Sequence, residues 1–195
     1  MQDAEAKLYR LGPLAFELGL ASRFHADVVE LCRPHIRALS ADTGFTIMVS
    51  MRAGMETVCL DRADGADPLE AKVAQVGERL LLGVGTGGVL LLAAMSDAEI
   101  EEILTAPGYV HSPVTRDEIR TRVARAREQG FADISDKPIP GVRGIGVVVR
   151  SDQVLPSLSL SIVGTHARLN DANLAPSLRI LRMTAERIGA AFDLR

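Results

Sequence analysis

Tryptophan is absent from the 195-residue chain, and all aromatics together reach only 4%. Basic residues are outnumbered, 22 Lys and Arg against 25 Asp and Glu, so the net charge is −3 at pH 7. A surface that grips a phosphate backbone needs a basic excess, commonly with stacking aromatics, and neither is present. Only two cysteines occur, Cys32 and Cys59, too few for a disulfide framework and in keeping with a reducing compartment. No apolar run reaches the roughly 20 residues that span a bilayer. The longest, Leu80 to Met95, has sixteen residues, and Gly83, Gly85, Gly87 and Gly88 interrupt its first half. The amino terminus, Met1-Gln2-Asp3-Ala4-Glu5-Ala6-Lys7, carries two acids and lacks the apolar core of a signal peptide. The expectation is a soluble, cytoplasmic protein with no membrane partner.

Reaction motifs are equally scarce. His25, His35, His111 and His166 show no H-x-x-x-H or H-E-x-x-H spacing, and neither cysteine has a C-x-x-C partner, so no metal site is expected. No G-x-S-x-G elbow is present for a Ser–His–Asp hydrolase. Cys59 lies in a strand-like segment and reads as a small buried hydrophobe. As a nucleophile it would need a base that sequence does not place. No catalytic residue and no cofactor is assigned.

What is there suits one domain. A chain of this length buries roughly 70% of its unfolded surface, and 47% apolar with 24% charged residues is an ordinary globular composition. Pro13 to about Asp42 reads as helix, broken or kinked near Cys32 by Pro34, with apolar surface that would pack on another chain or domain. Residues 45–51 and 57–61 form strands around a turn at Arg52-Ala53-Gly54, and Glu70 to Val76 a further strand. A helix follows from about Gly88 to Met95. The next is capped by Ser96 with Glu99, and another runs from Thr115 to Gln129, closed by Gly130. Strands over 144–149 and 158–163 precede a strongly amphipathic helix from about Asn173 to Leu194. Helices interleaved with hairpin-linked strands predict an α+β fold around a mostly antiparallel sheet.

Three constellations carry the functional question. The run Gly83-Val84-Gly85-Thr86-Gly87-Gly88 is followed by Val89, not the lysine a phosphate loop requires. It is either a tight turn or an exposed helix N-terminus able to hold a small carboxylate, and the number of glycines favours the second. Arg116, Arg120, Arg122, Arg125 and Arg127 stand among Asp117, Glu118 and Glu128 at ion-pair spacing, which predicts a solvated helix face. Ser159 and Ser161 alternate with Leu158, Leu160 and Ile162 and therefore share one face. They are either half-exposed sheet residues or ligand contacts, the latter because an apolar central strand has little reason to turn hydroxyls inward.

Taken in order, the segments resemble the effector-binding domain of the isocitrate lyase regulator (IclR) family of bacterial transcription factors. The residues that carry this are Tyr9-Arg10-Leu11-Gly12-Pro13, Leu39 to Thr43-Gly44, Leu60-Asp61-Arg62, Val76-Gly77-Glu78-Arg79 and the glycine loop. They continue through Arg127-Glu128-Gln129-Gly130-Phe131-Ala132, Gly141-Val142, Gly146 to Val149, Ser159 to Gly164, and Arg168-Leu169. The resemblance implies a GAF-like sheet flanked by helices, with residues 1–12 a remnant of a winged helix-turn-helix, 13–42 linker helices and 43–195 the effector-binding domain. It implies a homodimer or homotetramer that senses a small organic acid, aromatic acids among them, and touches DNA only through an N-terminal domain absent from this chain. By position, the pocket would be lined by Thr86, Gly87, Gly88, Gly144, Ser161 and Val163, with Ser159 beside them and Asp133 or a neighbour in the following loop.

The family pattern P-L-H-x-T-A-x-G-K-A is replaced here by Leu81-Leu82-Gly83-Val84-Gly85-Thr86-Gly87-Gly88-Val89-Leu90, without its histidine, first threonine or lysine. With Val163 and Gly144 at positions that can be polar, these changes predict a roomier, more apolar pocket and an acid larger than glyoxylate or pyruvate. The alternatives are a GAF-like enzyme that processes a small molecule and a stand-alone GAF-like dimerisation module.

Overall fold

The computed structural model describes residues 2–3, 8–9, 12–14, 17, 23–66, 73–151 and 158–194. Helix α1 (Arg23–Thr43) leads into strands β1 (Thr46–Ala53) and β2 (Glu56–Ala63), then a short β3 (Arg79–Leu81). Helices α2 (Thr86–Ala93), α3 (Asp97–Thr105) and α4 (Arg116–Gln129) follow, with a 3-10 turn at Pro107–His111 between the last two. Strands β4 (Ala132–Ser135), β5 (Val142–Val149) and β6 (Leu158–Thr165) and helix α5 (Asp171–Asp193) complete the domain. Near the amino terminus Gln2–Asp3 pairs with Leu8–Tyr9 as a separate two-residue ladder.

The six main strands form one antiparallel sheet in the order β3-β2-β1-β6-β5-β4, so the expected α+β class holds. Period-two alternation gives the sheet two different faces. Ile47 and Val49, Ile145, Val147 and Val149, and Leu158, Leu160 and Ile162 point to one side. There they pack with Leu31, Cys32, Ile36 and Leu39 of α1 and with Leu181, Ala185, Ile188 and Phe192 of α5. The opposite side is covered by α2, which is itself wedged against α3 and α4 through Leu91, Leu92, Ile103, Leu104 and Ile119. Covered on both sides, β6 is buried from Leu158 to Gly164, so Ser159 and Ser161 are not half-exposed.

Local signals account for several boundaries. Ser96 and Glu99 form the full capping box of α3. The hydroxyl of Thr115 accepts from the Glu118 N–H at 3.2 Å to start α4, and Gly130, at φ +71°, ends it. The helix break allowed at Pro34 is absent: the described part of α1 runs as helix through Pro34, which is on the exposed side, where the carbonyl it orphans can turn to water. No strand occupies residues 73–76, which form a bend and turn; pairing begins at Arg79, where β2 offers Val58 as partner, while residues 70–72 lie outside the described set. The hairpin turn also falls later than expected, on Gly54-Met55 after an eight-residue β1.

Between Val49 and Ser50 the β1–β2 register shifts: Val49 faces Asp61 while Ser50 faces Cys59, leaving Leu60 as a bulge. Leu60 and Asp61 consequently lie on the α1 side, where Asp61 accepts from Arg33 Nε at 2.9 Å.

The packing of the two cysteines and of Gly189 can be tested in solution. Burial pushes the Cys32 thiol from its ordinary 9.0 to about 12, helped by the Asp61 charge, and the Cys59 thiol to about 11. An acid whose folded pKa is raised stabilises the fold below its unfolded pKa and loses that contribution as pH rises. Stability should therefore fall above pH 9 with a slope of up to about 1.4 kcal/mol per pH unit for each thiol. Urea titrations at pH 8 to 11 should show a shallower slope for Cys32→Ala than for the parent; identical slopes contradict the assignment. Separately, a Cβ at Gly189 of α5 would collide with the Arg150 carbonyl oxygen. Gly189→Ala, which would gain about 1 kcal/mol in a free helix, should instead lower the stability measured by urea unfolding by about 1–2 kcal/mol.

Candidate functional site

On the α2 side of the sheet a cavity of about 100 Å³ lies between the strands and the start of α2. One water needs roughly 10–15 Å³ by the same measure, so there is room for a compact organic molecule. Its floor is the sheet: Met48 and Ser50 from β1, Thr57 and Cys59 from β2, Val142 and Gly144 from β5, and Ser161 and Val163 from β6. Gly85, Thr86, Gly87 and Gly88 form the roof. The segment 73–80 makes one wall with Val73, Ala74, Glu78 and Leu80, and Ile134 with Lys137, Pro138 and Ile139 makes the other.

Glycine decides how close α2 comes to the sheet. A Cβ at Gly87 would sit 2.7 Å from the Ser159 hydroxyl and 3.3 Å from Ser50 Cβ. One at Gly146 would meet Ser161, Leu90 and Thr86 at 2.8–2.9 Å, and one at Gly88 would meet the Gly83 nitrogen at 2.8 Å. These glycines let α2 lie close against the sheet and the turn before it. The space left by the missing side chain of Gly144 is filled by the Thr86 hydroxyl, so that position adds no room.

What remains toward the cavity is polar in a specific way. Val89 makes the first backbone hydrogen bond of α2, to the Gly85 carbonyl at 3.0 Å. The N–H groups of Thr86, Gly87 and Gly88 stand ahead of it, where a helix has no carbonyl to offer them and its dipole is positive. The N-cap, Gly85, has no side chain to satisfy them. The hydroxyls of Ser50, Thr86 and Ser161 make no hydrogen bond to another described residue, although Ser161 is only 5% exposed. Thr57 is engaged, donating to the Leu80 carbonyl at 3.2 Å. The two charged lining residues are each occupied: Lys137 Nζ donates to Glu118 at 2.9 Å, and the Glu78 carboxylate accepts from the Gln75 N–H at 2.8 Å. Cys59 at the floor is a protonated thiol at neutral pH, its pKa held at about 11 by burial.

Of the residues named from sequence, Thr86, Gly87, Gly88, Gly144, Ser161 and Val163 are brought together around this cavity. Ser159 and Asp133 do not line it. Ser159 lies beneath Gly87, its hydroxyl 3.5 Å from the Ser50 carbonyl. Asp133 alternates away from the cavity-lining Ile134 and accepts two bonds from Arg143, at 2.8 and 2.7 Å. Arg143 also donates to Asp171 at the start of α5. Met48, Ser50 and Thr57 were not foreseen, although Ser50 next to Val49 carries the same alternation signal as Ser161; Cys59 was weighed only as a buried hydrophobe or a nucleophile. Among the described residues no cluster of His, Cys, Asp and Glu could hold a metal, and no helix is long and apolar enough to cross a membrane. Three of the α4 arginines are ion-paired, Arg120 to Glu101 and Asp117, Arg122 to Glu118 and Arg127 to Asp97, but Arg122, only 10% exposed, is not on a solvated face.

Comparison with known proteins agrees with this architecture. Residues 21–190 match the family described as bacterial transcriptional regulator IclR C-terminal. The HTH-type transcriptional repressor AllR of Escherichia coli K12 is 25% identical over the whole chain, which spans 73% of that protein. The HTH-type transcriptional regulator XynR of the same strain is 30% identical over a stretch covering 89% of this chain and 70% of that protein. An IclR homologue from Microbacterium hydrocarbonoxydans, solved in complex with 4-hydroxybenzoate, superposes with a TM-score of 0.78 at 24% identity, covering 95% of this chain and 76% of that one. The GAF-like sheet, the extent of the family match and the 30% identical relative together place the chain in the IclR family of bacterial transcriptional regulators, as its C-terminal domain.

Proposed function

We propose that the cavity under α2 is the effector site of this regulator and that its ligand is a compact organic acid. The observation that carries the reading is a set of three hydroxyls, Ser50, Thr86 and Ser161, without partners among the described residues. Ser50 and Ser161 face the uncapped N-terminal turn of α2, to which Thr86 belongs, across a mostly apolar chamber. A carboxylate there would accept from the Thr86, Gly87 and Gly88 N–H groups and from the hydroxyls, with no cationic side chain needed. Its body would rest on Met48, Ile139, Val142 and Val163. The Microbacterium relative was solved with 4-hydroxybenzoate, itself a compact organic acid. Larger, more hydrophobic acids than glyoxylate or pyruvate suit the apolar walls.

Regulation then follows from population shift. An acid that favours one arrangement of the domain biases that arrangement, and α1 carries the bias toward a helix-turn-helix of the kind the relatives' names specify. In this reading the domain associates as a homodimer or homotetramer, DNA is not touched by the cavity-bearing domain, and no chemistry is performed on the acid. The protonated state of Cys59 supports the last point against the enzyme alternative.

The test is calorimetry with benzoate, 4-hydroxybenzoate, glyoxylate and pyruvate, with 4-hydroxybenzyl alcohol as the uncharged control. The aromatic acids should bind and the alcohol should not. Ser161→Ala should weaken the acids by roughly tenfold, the worth of one hydrogen bond to a charged group. Binding of the alcohol as tight as that of the acid, or an unchanged affinity in Ser161→Ala, would overturn the site.

A further inference from the structure

The Leu60 bulge gives strand β2 an unusual property: Cys59 and Asp61, two residues apart, serve opposite faces of the sheet. Cys59 is in the cavity floor, and its backbone holds the adjoining wall through Cys59 N–H to the Glu78 carbonyl at 3.0 Å and Gly77 N–H to the Cys59 carbonyl at 2.8 Å. Asp61, two residues on, faces α1 and accepts from Arg33 at 2.9 Å, with a side chain only 10% exposed. Arg62 returns to the cavity side. Its guanidinium, 4% exposed, donates to the carbonyls of Val73 at 3.1 Å and Ala74 at 3.3 Å, both wall residues, and pairs with Asp64. Asp64 in turn offers its carbonyl to the Ser40 hydroxyl of α1 at 2.9 Å.

We propose that Arg62 is the positioning residue of the cavity wall and that the bulged segment Cys59–Asp64 couples this wall to helix α1 through Asp61–Arg33 and Asp64–Ser40. The inference deepens the effector reading, on which it rests, by naming the route from its cavity to the helix. A buried guanidinium whose donors are taken by two wall carbonyls cannot follow the wall outward without leaving charge and carbonyls unpaired. The wall and the bulge therefore move together. Because β2 is continuous across the bulge, a shift on the cavity side is delivered to Asp61 and the α1 ion pair. An unbulged strand would place Asp61 on the cavity side, out of reach of Arg33.

Cys59 reports on the wall without any ligand. In the full chain with Cys32→Ala, iodoacetamide labelling of Cys59 measures how often the wall opens, and deuterium exchange of residues 73–78 gives a second measure. Arg62→Gln should speed labelling about tenfold. Arg62→Lys keeps the charge but not the two-carbonyl reach, and should speed it similarly at an unchanged melting temperature. Arg33→Gln, on the opposite face of the sheet, should speed it about threefold, and combined with Arg62→Gln should add less than that factor. Labelling at the parent rate in Arg62→Lys would remove Arg62 from its role. Labelling at the parent rate in Arg33→Gln, or full multiplication in the double variant, would remove the coupling. Either result is distinguishable from failure of the effector site, which the acid affinity of Ser161→Ala reads independently.

Discussion

The structure depends on bare backbone where α2 meets the sheet. Gly87 on the helix and Gly144 and Gly146 on β5 leave no Cβ between them and their neighbours, so the helix sits closer than any side-chain layer would allow. That approach has two consequences. It lets an eight-residue helix, apolar on nearly every side, be buried between the sheet and α3–α4. It also aims the unsatisfied end of the helix along the sheet surface, and the cavity is the space beside that end. A larger residue at any of these glycines would lift the helix and open the chamber to solvent, weakening every polar interaction inside it.

The two faces of the sheet do different work because of what they carry. The α1–α5 face is a continuous aliphatic core with few polar atoms, suited to rigidity. The α2 face mixes Met48, Cys59, Val142 and Val163 with hydroxyls, and the resulting chamber is apolar yet able to orient one charged end of a ligand. Charge is otherwise placed at the seams. Arg143 ties β5 to β4 and to the start of α5, Arg122 holds the Gly83 and Val84 carbonyls before α2, and Arg62 holds the wall. Such buried or half-buried forks specify geometry more than they add stability.

Much of this was legible residue by residue. The Ser96–Glu99 box, the Thr115 start and Gly130 stop of α4, and the Arg120–Asp117 and Arg122–Glu118 pairs between them are local chemistry, decided within four residues. The alternation of Ser159 and Ser161 against three aliphatics correctly put both on one face. Sequence did not show that a helix would cover that face, or that Ser159 would be used under Gly87 while Ser161 stayed open. It left open a break at Pro34 that the helix does not make, because the cost of a helical proline depends on whether the orphaned carbonyl meets water, which only the packing of α1 decides.

The sequence by itself determined the α+β class, the order of most elements, and the placing of a candidate pocket between the start of α2 and the serine strand. The first two rest on short-range periodicity and turn chemistry, the third on the order of segments shared with a known family. Tertiary structure alone decided the rest. The glycines turned out to be packing residues, because their neighbours lie far away in the chain, as Gly87 does from Ser159 and Gly146 from Leu90. The bulge at Leu60 arises from a register chosen by pairing with β1, and one extra residue there exchanges which face Asp61 and Arg62 serve. Pairing register is a long-range contest among strands, and no local pattern in Leu60-Asp61-Arg62 records its outcome.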